Sequence, residues 1–329
     1  MVKFTTALVT YANRGMLVKQ VVEACVAAGC DCIFIIDNGS DKESKDLLLS
    51  LKHRYEFIHL VENLHNLGSS VAFGQLMDMA VSELNPNEIV LFLDDDNVSN
   101  PNSLQNTIVK YSCDYYKNSV FFLYRKDRQH YVHYVETGDE SLLTGRPNSF
   151  MTFTVSSLVK KIMKNNKKKS TMPIGSVLDG VKLIPIPCGP YGGMLSSKTI
   201  LSQSIRPKKD MFVYFDDTDY TMRLKHSGIN LYLVTSCLLT DIDDSWTNEK
   251  LMSKLSSPLL EGLEYKVRFS LRNRVYFEKK HIVNNALIYY TNMMVFLIIL
   301  LIKALCTMRL RRYIKLLGYV YEGITYSKH

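Results

Sequence analysis

Two kinds of hydrophobic spacing alternate along the first hundred residues. Short unbroken apolar runs lie at Lys3–Thr10, Asp31–Ile36, Phe57–Val61 and Ile89–Leu93. Between them, Leu17–Ala28, Ser44–Tyr55 and Val71–Leu84 carry apolar residues at helical spacing. Short runs bounded by polar turns read as buried strands, and the longer periodic segments read as helices. Strands separated by helices of this length predict βαβ units and a mostly parallel sheet flanked by helices, an α/β Rossmann-like fold. In such sheets ligands bind at the carboxyl ends of the strands. Polar clusters stand at three of those ends: Thr10–Arg14, Asp37–Asp41 and Asp94–Asn97.

Beyond residue 110 the pattern is less regular. Tyr115–Tyr134 is rich in aromatic residues and reads as strands, and Ile184–Ser197 is rich in Gly and Pro. Lys160–Lys169 holds six lysines in ten residues, which suits either a solvated loop or a surface that meets phosphate. Ala286–Ile302 is seventeen residues without a charge. As a helix it rises about 25 Å, short of a hydrocarbon core of about 30 Å. Cations lie on both sides, from Lys266 to Lys280 and from Lys303 to Lys315, which suits a helix lying in an anionic leaflet better than a simple span. Packing against the rest of the chain, or against a second copy, is the other reading of this segment.

Charge sharpens that contrast. The net charge of +8 is local: from Lys266 onward twelve Lys/Arg face only Glu278 and Glu322, so the rest of the chain is slightly acidic. That excludes a general nucleic-acid binder and predicts a local contact with something anionic. With 47% apolar and 22% charged residues over 329 positions, the chain is a folded protein with an ample core. Seven cysteines without paired metal-site spacing predict reduced thiols in a reducing compartment, and the first residues form no secretory signal.

Asp94-Asp95-Asp96 is the sharpest chemical feature. Three adjacent carboxylates at the end of an apolar strand repel one another unless a cation is present, and all-oxygen ligands favour Mg²⁺ or Mn²⁺. A capped acidic turn is the plainer alternative. Asp37-Asn38-Gly39-Ser40-Asp41 offers a carboxylate for a base N–H or a ribose hydroxyl. Thr10-Tyr11-Ala12-Asn13-Arg14 offers a ring for stacking and a guanidinium for phosphate. Asn66-Leu67-Gly68-Ser69-Ser70 opens a helix whose free N–H groups favour anions.

In order and spacing these four motifs resemble the GT-A glycosyltransferases of family 2, over roughly residues 3–280. Phe212–Leu224, with Asp216-Asp217 at its centre, looks like the second acidic motif of the galactofuranosyl- and rhamnosyltransferase branch. Gly189-Pro190-Tyr191-Gly192-Gly193 and Arg272-Asn273-Arg274 look like that branch's acceptor loop and its segment ahead of a C-terminal helical region. The resemblance implies a nucleotide-sugar site at Thr10, Tyr11, Asn13, Arg14, Asp37, Asn38, Asn66, Gly68, Asp94 and Asp95. It implies Mn²⁺ or Mg²⁺ at Asp94 and Asp96, and an acceptor site at Tyr191, Gly192 and Gly193; Trp246 reads either as a ring stacked on the acceptor sugar or as a packing residue. It makes an aspartate of the second acidic motif the base, read here as Asp217 with Asp216 on the acceptor; the reverse assignment, and plain salt bridges to Arg223 or Lys225, stay open. Relatives often supply a histidine ligand later in the chain. At that distance stands Asp241-Ile242-Asp243-Asp244, so Asp241 or Asp243 would replace it, or the metal would rest on the triplet and substrate alone.

The expected activity is inverting, metal-dependent transfer of a sugar from a nucleotide sugar to a lipid-linked or polysaccharide acceptor. The expected donor is UDP-galactofuranose, with dTDP-rhamnose next. The expected place is the cytoplasmic face of the plasma membrane, peripheral or monotopic, with an oligomer allowed. Residues 1–110 would form the donor half, 111–250 the acceptor half, and 251–329 a membrane-associated helical region. A nucleotidyltransferase lacks its Gly-rich, Lys-bearing loop here, and a dehydrogenase lacks Gly-x-Gly-x-x-Gly after the first strand. A non-catalytic scaffold would have lost the acidic motifs, and both are present.

Overall fold

A computed structural model describes residues 1–162, 176–178, 181–243 and 257–326. The lysine-rich stretch from 163 on, Asp244 and Trp246 lie outside them. In chain order the elements are β1 (Phe4–Ala12), α1 (Gly15–Ala27), β2 (Cys30–Ser40), α2 (Lys42–Arg54), β3 (Ile58–Glu62), α3 (Ser69–Glu83), β4 (Ile89–Asp94), β5 (Asn97–Ser99), α4 (Pro101–Tyr111), β6 (Ser119–Tyr124), α5 (Gln129–Thr137), α6 (Ser141–Thr144) and α7 (Val155–Ile162). They continue with β7 (Ser176–Leu178), β8 (Val181–Pro185), β9 (Met194–Ser197), α8 (Lys198–Gln203), α9 (Asp216–His226), β10 (Asn230–Asp241), α10 (Pro258–Glu261), α11 (Glu264–His281), α12 (Ala286–Cys306) and α13 (Leu310–Thr325).

These elements divide into two compact units: residues 1–138, 173–212 and 216–246, and residues 139–172, 213–215 and 247–329. The first unit is built on a sheet of order β3-β2-β1-β4-β9-β6-β10-β8-β7. Strands β3, β2, β1 and β4 run parallel, as do β6 and β10, while β9 lies antiparallel between β4 and β6. This is the predicted α/β sheet. Its parallel strands read as apolar runs because helices cover both faces. On one face Val18 and Val22 of α1, Leu48 of α2 and Ile108 of α4 pack with Leu8, Ile35 and Leu91. On the other, Phe73 of α3 meets Phe92 at 6.4 Å between ring centroids. Asp41 starts α2 by accepting from the Ser44 amide, so the Asp37–Asp41 segment is strand to Ser40 and helix cap at its end.

One expectation fails in this unit. Within Tyr115–Tyr134 only Ser119–Tyr124 is a strand, and Gln129–Thr137 is helical. Aromatic residues favour strands, but Tyr131 and Tyr134 are three apart and both buried, which is one face of a helix.

The second unit is helical. Its core joins Phe150, Leu271, Val275, Tyr289, Leu297, Leu300, Tyr313 and Leu316. Glu278, fully buried on α11, accepts from Arg274 Nε at 2.7 Å, Met151 N at 2.9 Å and Tyr289 Oη at 3.2 Å. Asn273, in the Arg-Asn-Arg segment, donates through Nδ2 to the carbonyls of Val213 and Tyr214. Residues 139–162 belong with these helices and not with the sheet. Helix α12 is long and apolar enough to cross a membrane, with a mean hydropathy of 2.0.

Candidate functional site

Register places the polar strand ends side by side. On β1, Thr10 pairs with Asp37 of β2 and Val9 pairs with Asp94 of β4. Three clusters far apart in the chain therefore meet along one edge of the sheet. Asp37 is fully buried: its Oδ1 accepts from the Ser40 amide at 2.7 Å, and its Oδ2 has no protein partner. Tyr11 is exposed at the rim, with the Arg14 guanidinium 5.7 Å from its ring. Asn13 follows it in the same turn.

Asn38 and Asn66 are used internally. Asn38 Nδ2 donates to Asn66 Oδ1 at 3.0 Å, and Asn38 Oδ1 accepts from Asn63 Nδ2 and the Leu67 amide. Their side chains shape the loop that starts α3, Asn38 buried and Asn66 exposed. Gly68 sits at φ +85°, and a Cβ there would lie 2.3 Å from the Phe212 carbonyl oxygen. The start of α3 was expected to face a ligand anion. It faces one of the chain's own carboxylates instead: Ser69 Oγ donates to Asp216 Oδ2 at 2.8 Å, while the Ser70 amide is taken by the Phe212 carbonyl.

The acidic triplet is braced by arginines. Arg14 donates to Asp95 (Nε, 2.8 Å), Asp96 (Nη2, 2.9 Å) and Asp243 (Nη1, 2.6 Å). Its guanidinium therefore serves carboxylates where the sequence suggested phosphate. Strand β5 pairs antiparallel with the end of β10, setting Asn97 opposite Asp241. Asn97 Nδ2 bridges Asp96 Oδ1 and Asp241 Oδ1, and Asp241 also accepts from Arg125 and, at 2.7 Å, from Arg128 Nη2. Arg125 Nη1 lies 3.7 Å from Asp94 Oδ2. Asp94 is the accessible member of the triplet, its side chain 44% exposed. Burial pushes Asp95 up to about 7, against the pull of Arg14. Burial, then the charges of Asp94 and Asp241, push Asp96 up to about 6.

Sequence reasoning missed Arg125 and Arg128, and placed Asn97 in a polar strand-end cluster without giving it a role. Arg125 and Arg128 follow the apolar strand β6, so the rule of polar residues at strand ends would have found them.

This arrangement fits a divalent cation in charge and donor type. When all five are ionised, Asp94, Asp95, Asp96, Asp241 and Asp243 outnumber the three guanidiniums they face, Arg14, Arg125 and Arg128, by two charges. Hard oxygen donors suit Mn²⁺ or Mg²⁺. Among the described residues no three His, Cys, Asp or Glu side chains are poised to hold an ion. Asp96 and Asp241 are bound by Arg14, Arg125, Arg128 and Asn97, so Asp94 is the ligand within immediate reach and substrate oxygens would complete the shell.

The second acidic pair begins α9. Just before it the backbone enters the left-handed region at Phe212, Tyr214 and Phe215. Burial, and then the charge of Asp217, push the Asp216 carboxyl well above the usual range, with the Ser69 bond opposing. Burial raises Asp217 as well, opposed by the Thr218 amide and hydroxyl and by Arg125. The pair is thus graded: Asp216 is the better proton holder and Asp217 the better anion.

The loop 189–193 links the two acidic groups. A Cβ on Gly192 would lie 2.4 Å from Asp94 Oδ2 and 2.5 Å from Asn97 Oδ1. The Gly193 amide bonds the Phe92 carbonyl, tying the loop to β4. Tyr191 feels the charges of both Asp216 and Asp217, and Asp94 feels that of Asp217. Tyr191 is buried and stacked on Phe73, centroids 4.3 Å apart, so it offers no open ring face for stacking a sugar.

Residues 6–172 match the family described as Glycosyl transferase family 2. No curated protein matches the chain. Among solved structures, GalNAc-T7 with UDP, GalNAc and Mn²⁺ is 13% identical with a TM-score of 0.52, covering 84% of this chain and 48% of its own. TarS of S. aureus is 12% identical, TM-score 0.42, covering 71% of this chain and 35% of its own. The mannosyltransferase PcManGT of Pyrobaculum calidifontis, in complex with GDP-Man and Mn²⁺, is 11% identical, TM-score 0.47, covering 98% and 86%. This chain thus spans about half of GalNAc-T7 and about a third of TarS.

Proposed function

The chain belongs to glycosyl transferase family 2, and on that premise we propose that it transfers a sugar, with inversion, from a nucleotide diphosphate donor to a hydroxyl of a lipid-linked or polysaccharide acceptor. The observation that carries this reading is the 189–193 loop, which presses Gly192 against Asp94 while Tyr191 stands beside Asp216 and Asp217.

Each half of the reaction has its residues. The strand-end turn Thr10–Arg14 and buried Asp37 would take the nucleoside, Tyr11 offering an exposed ring and Asp37 Oδ2 a buried acceptor without a protein partner. Asp94, backed by Asp96 and Asp241, would hold a divalent cation that neutralises the leaving diphosphate. Arg125 and Arg128 stand on the same carboxylates and can turn to the phosphate oxygens as those carboxylates take the ion. Asp217, the better anion of its pair, would accept the acceptor proton as the hydroxyl attacks the anomeric carbon. Attack from the face opposite the diphosphate inverts the configuration. Asp216, held by Ser69, would bind the acceptor.

For the donor we propose UDP-galactofuranose, with dTDP-rhamnose as the second choice, because Phe212–Leu224 resembles the acidic motif of that branch. The acceptor would be a growing glycan on a lipid carrier at the cytoplasmic leaflet, as in bacterial surface polysaccharide synthesis. The test is nucleoside diphosphate release from a panel of nucleotide sugars with Mn²⁺. Release from one sugar, lost in Asp217→Asn, supports the assignment. No release from any donor in the presence of glycan acceptors would sink it.

A further inference from the structure

Helix α12 has two unlike faces. Tyr289, Asn292, Met293, Leu297, Leu300 and Ala304 are buried within the helical unit. On the other side Leu287, Met294, Ile298, Ile302 and Leu305 are exposed, at spacings of seven, four, four and three. Helix α13 repeats the pattern: Tyr313, Leu316, Tyr319 and Val320 are buried, while Leu310, Ile314, Leu317 and Tyr321 form an exposed stripe at four, three and four. The turn between them carries Met308, 95% exposed. From Ile302 to Ile314 an outward apolar residue recurs every two to four positions, at Ile302, Leu305, Met308, Leu310 and Ile314, and exposed apolar residues clustered in this way mark interaction surfaces.

The buried side of α12 speaks against a span enclosed by lipid. Asn292 accepts from the Val155 amide and donates to the Asn148 carbonyl, both at 2.8 Å, and Tyr289 donates to Glu278. Around α13, Lys315 and Arg312 pair with Glu264, and Arg268 pairs with Glu322. Charged and bonded groups this close to the helix belong in protein and water, not in hydrocarbon. Only the outer face of each helix is open to lipid. Charge agrees: Lys303, Arg309 and Arg311 bracket the Met308 turn, in a segment with twelve cations and two anions.

We propose that α12 and α13 form a monotopic membrane anchor, lying in the plane of one leaflet with Met308 at its tip and the flanking cations on anionic lipid headgroups. The anchor includes α13, which has no long apolar run, and it excludes a transmembrane passage of α12.

The test uses the full-length protein and sucrose-loaded vesicles of phosphatidylcholine with phosphatidylglycerol, or of phosphatidylcholine alone, without donor or metal, so that its outcome is independent of the transfer reading. Ile298 and Ile314 are more than half exposed, so Ile298→Asp/Ile314→Asp should melt at the wild-type temperature. We expect the wild type to pellet with anionic vesicles, and the double variant to bind about tenfold or more weakly. Arg311→Glu should weaken binding to the anionic vesicles only. Three results would overturn the anchor: wild type left in the supernatant, a double variant that pellets equally, or a lipid-free dimer that the double variant dissolves, which would make a second copy the occupant. Resistance of the native membrane fraction to alkaline wash would instead indicate a span.

Discussion

Gly192 stands so close to Asp94 that a single added carbon would lie 2.4 Å from the carboxylate oxygen Oδ2. The loop that carries Tyr191 toward Asp216 and Asp217 is thereby set against the acidic triplet. Gly192→Ala must push aside Asp94 or Asn97. We expect Mn²⁺ affinity to fall roughly tenfold, as when the support of a metal ligand is disturbed. Titration calorimetry with Mn²⁺ and nucleoside diphosphate would read it; unchanged affinity would detach the loop from the metal site.

The graded pair Asp216 and Asp217 predicts unequal variants. Asp217→Asn should keep nucleotide binding and lower turnover by about 10³-fold, in the range of a lost general base. Asp216→Asn should chiefly raise the acceptor KM. Steady-state kinetics with varied acceptor would separate them, and a reversed pattern would exchange the two roles.

Asp95 and Asp96 predict how stability follows pH. Their carboxyls rise to about 7 and about 6 in the folded chain, against about 3.9 when unfolded. Between those values the folded protein binds more protons than the unfolded one, so this pair stabilises less as pH rises through the window. The metal-free protein should therefore lose melting temperature from about pH 4 to about pH 7, much of it below pH 5.5 and little above pH 7, and Asp96→Asn should flatten the part below pH 6. Mn²⁺ should raise the melting temperature more at pH 7.5, where protons no longer compete for the carboxylates, than at pH 5.5. Equal metal stabilisation at both pH values would contradict this.

Gly68→Ala places a Cβ at φ +85° and 2.3 Å from the Phe212 carbonyl oxygen. The expected cost is about 2 kcal/mol or more, from the strained backbone and the displaced turn. Chemical denaturation would measure it. An unaltered midpoint would mean the turn before α3 has room that its geometry denies.

Much of this site was legible in the sequence because parallel strands buried on both faces end abruptly. Ile89–Leu93 is apolar and Asp94 follows it, so chain order alone located the triplet. The Arg14–Asp243 contact was not legible, because it joins residues 229 positions apart. Nor was the role of Asn38: a turn-like Asp-Asn-Gly-Ser reads the same whether its amide faces a ligand or, as here, another loop. Helix α5 was hidden by its tyrosines, whose preference for strands outweighs a short helical period. The apolar stripe of α13 was masked by its arginines, since charge dominates the composition while burial depends on spacing.

Arg14 also bears on how the enzyme would behave when starved of metal. One guanidinium fastened to Asp95, Asp96 and Asp243 holds the strand ends together from within. Chelation should then silence the protein without unravelling it, and loading would be an exchange of one cation for another.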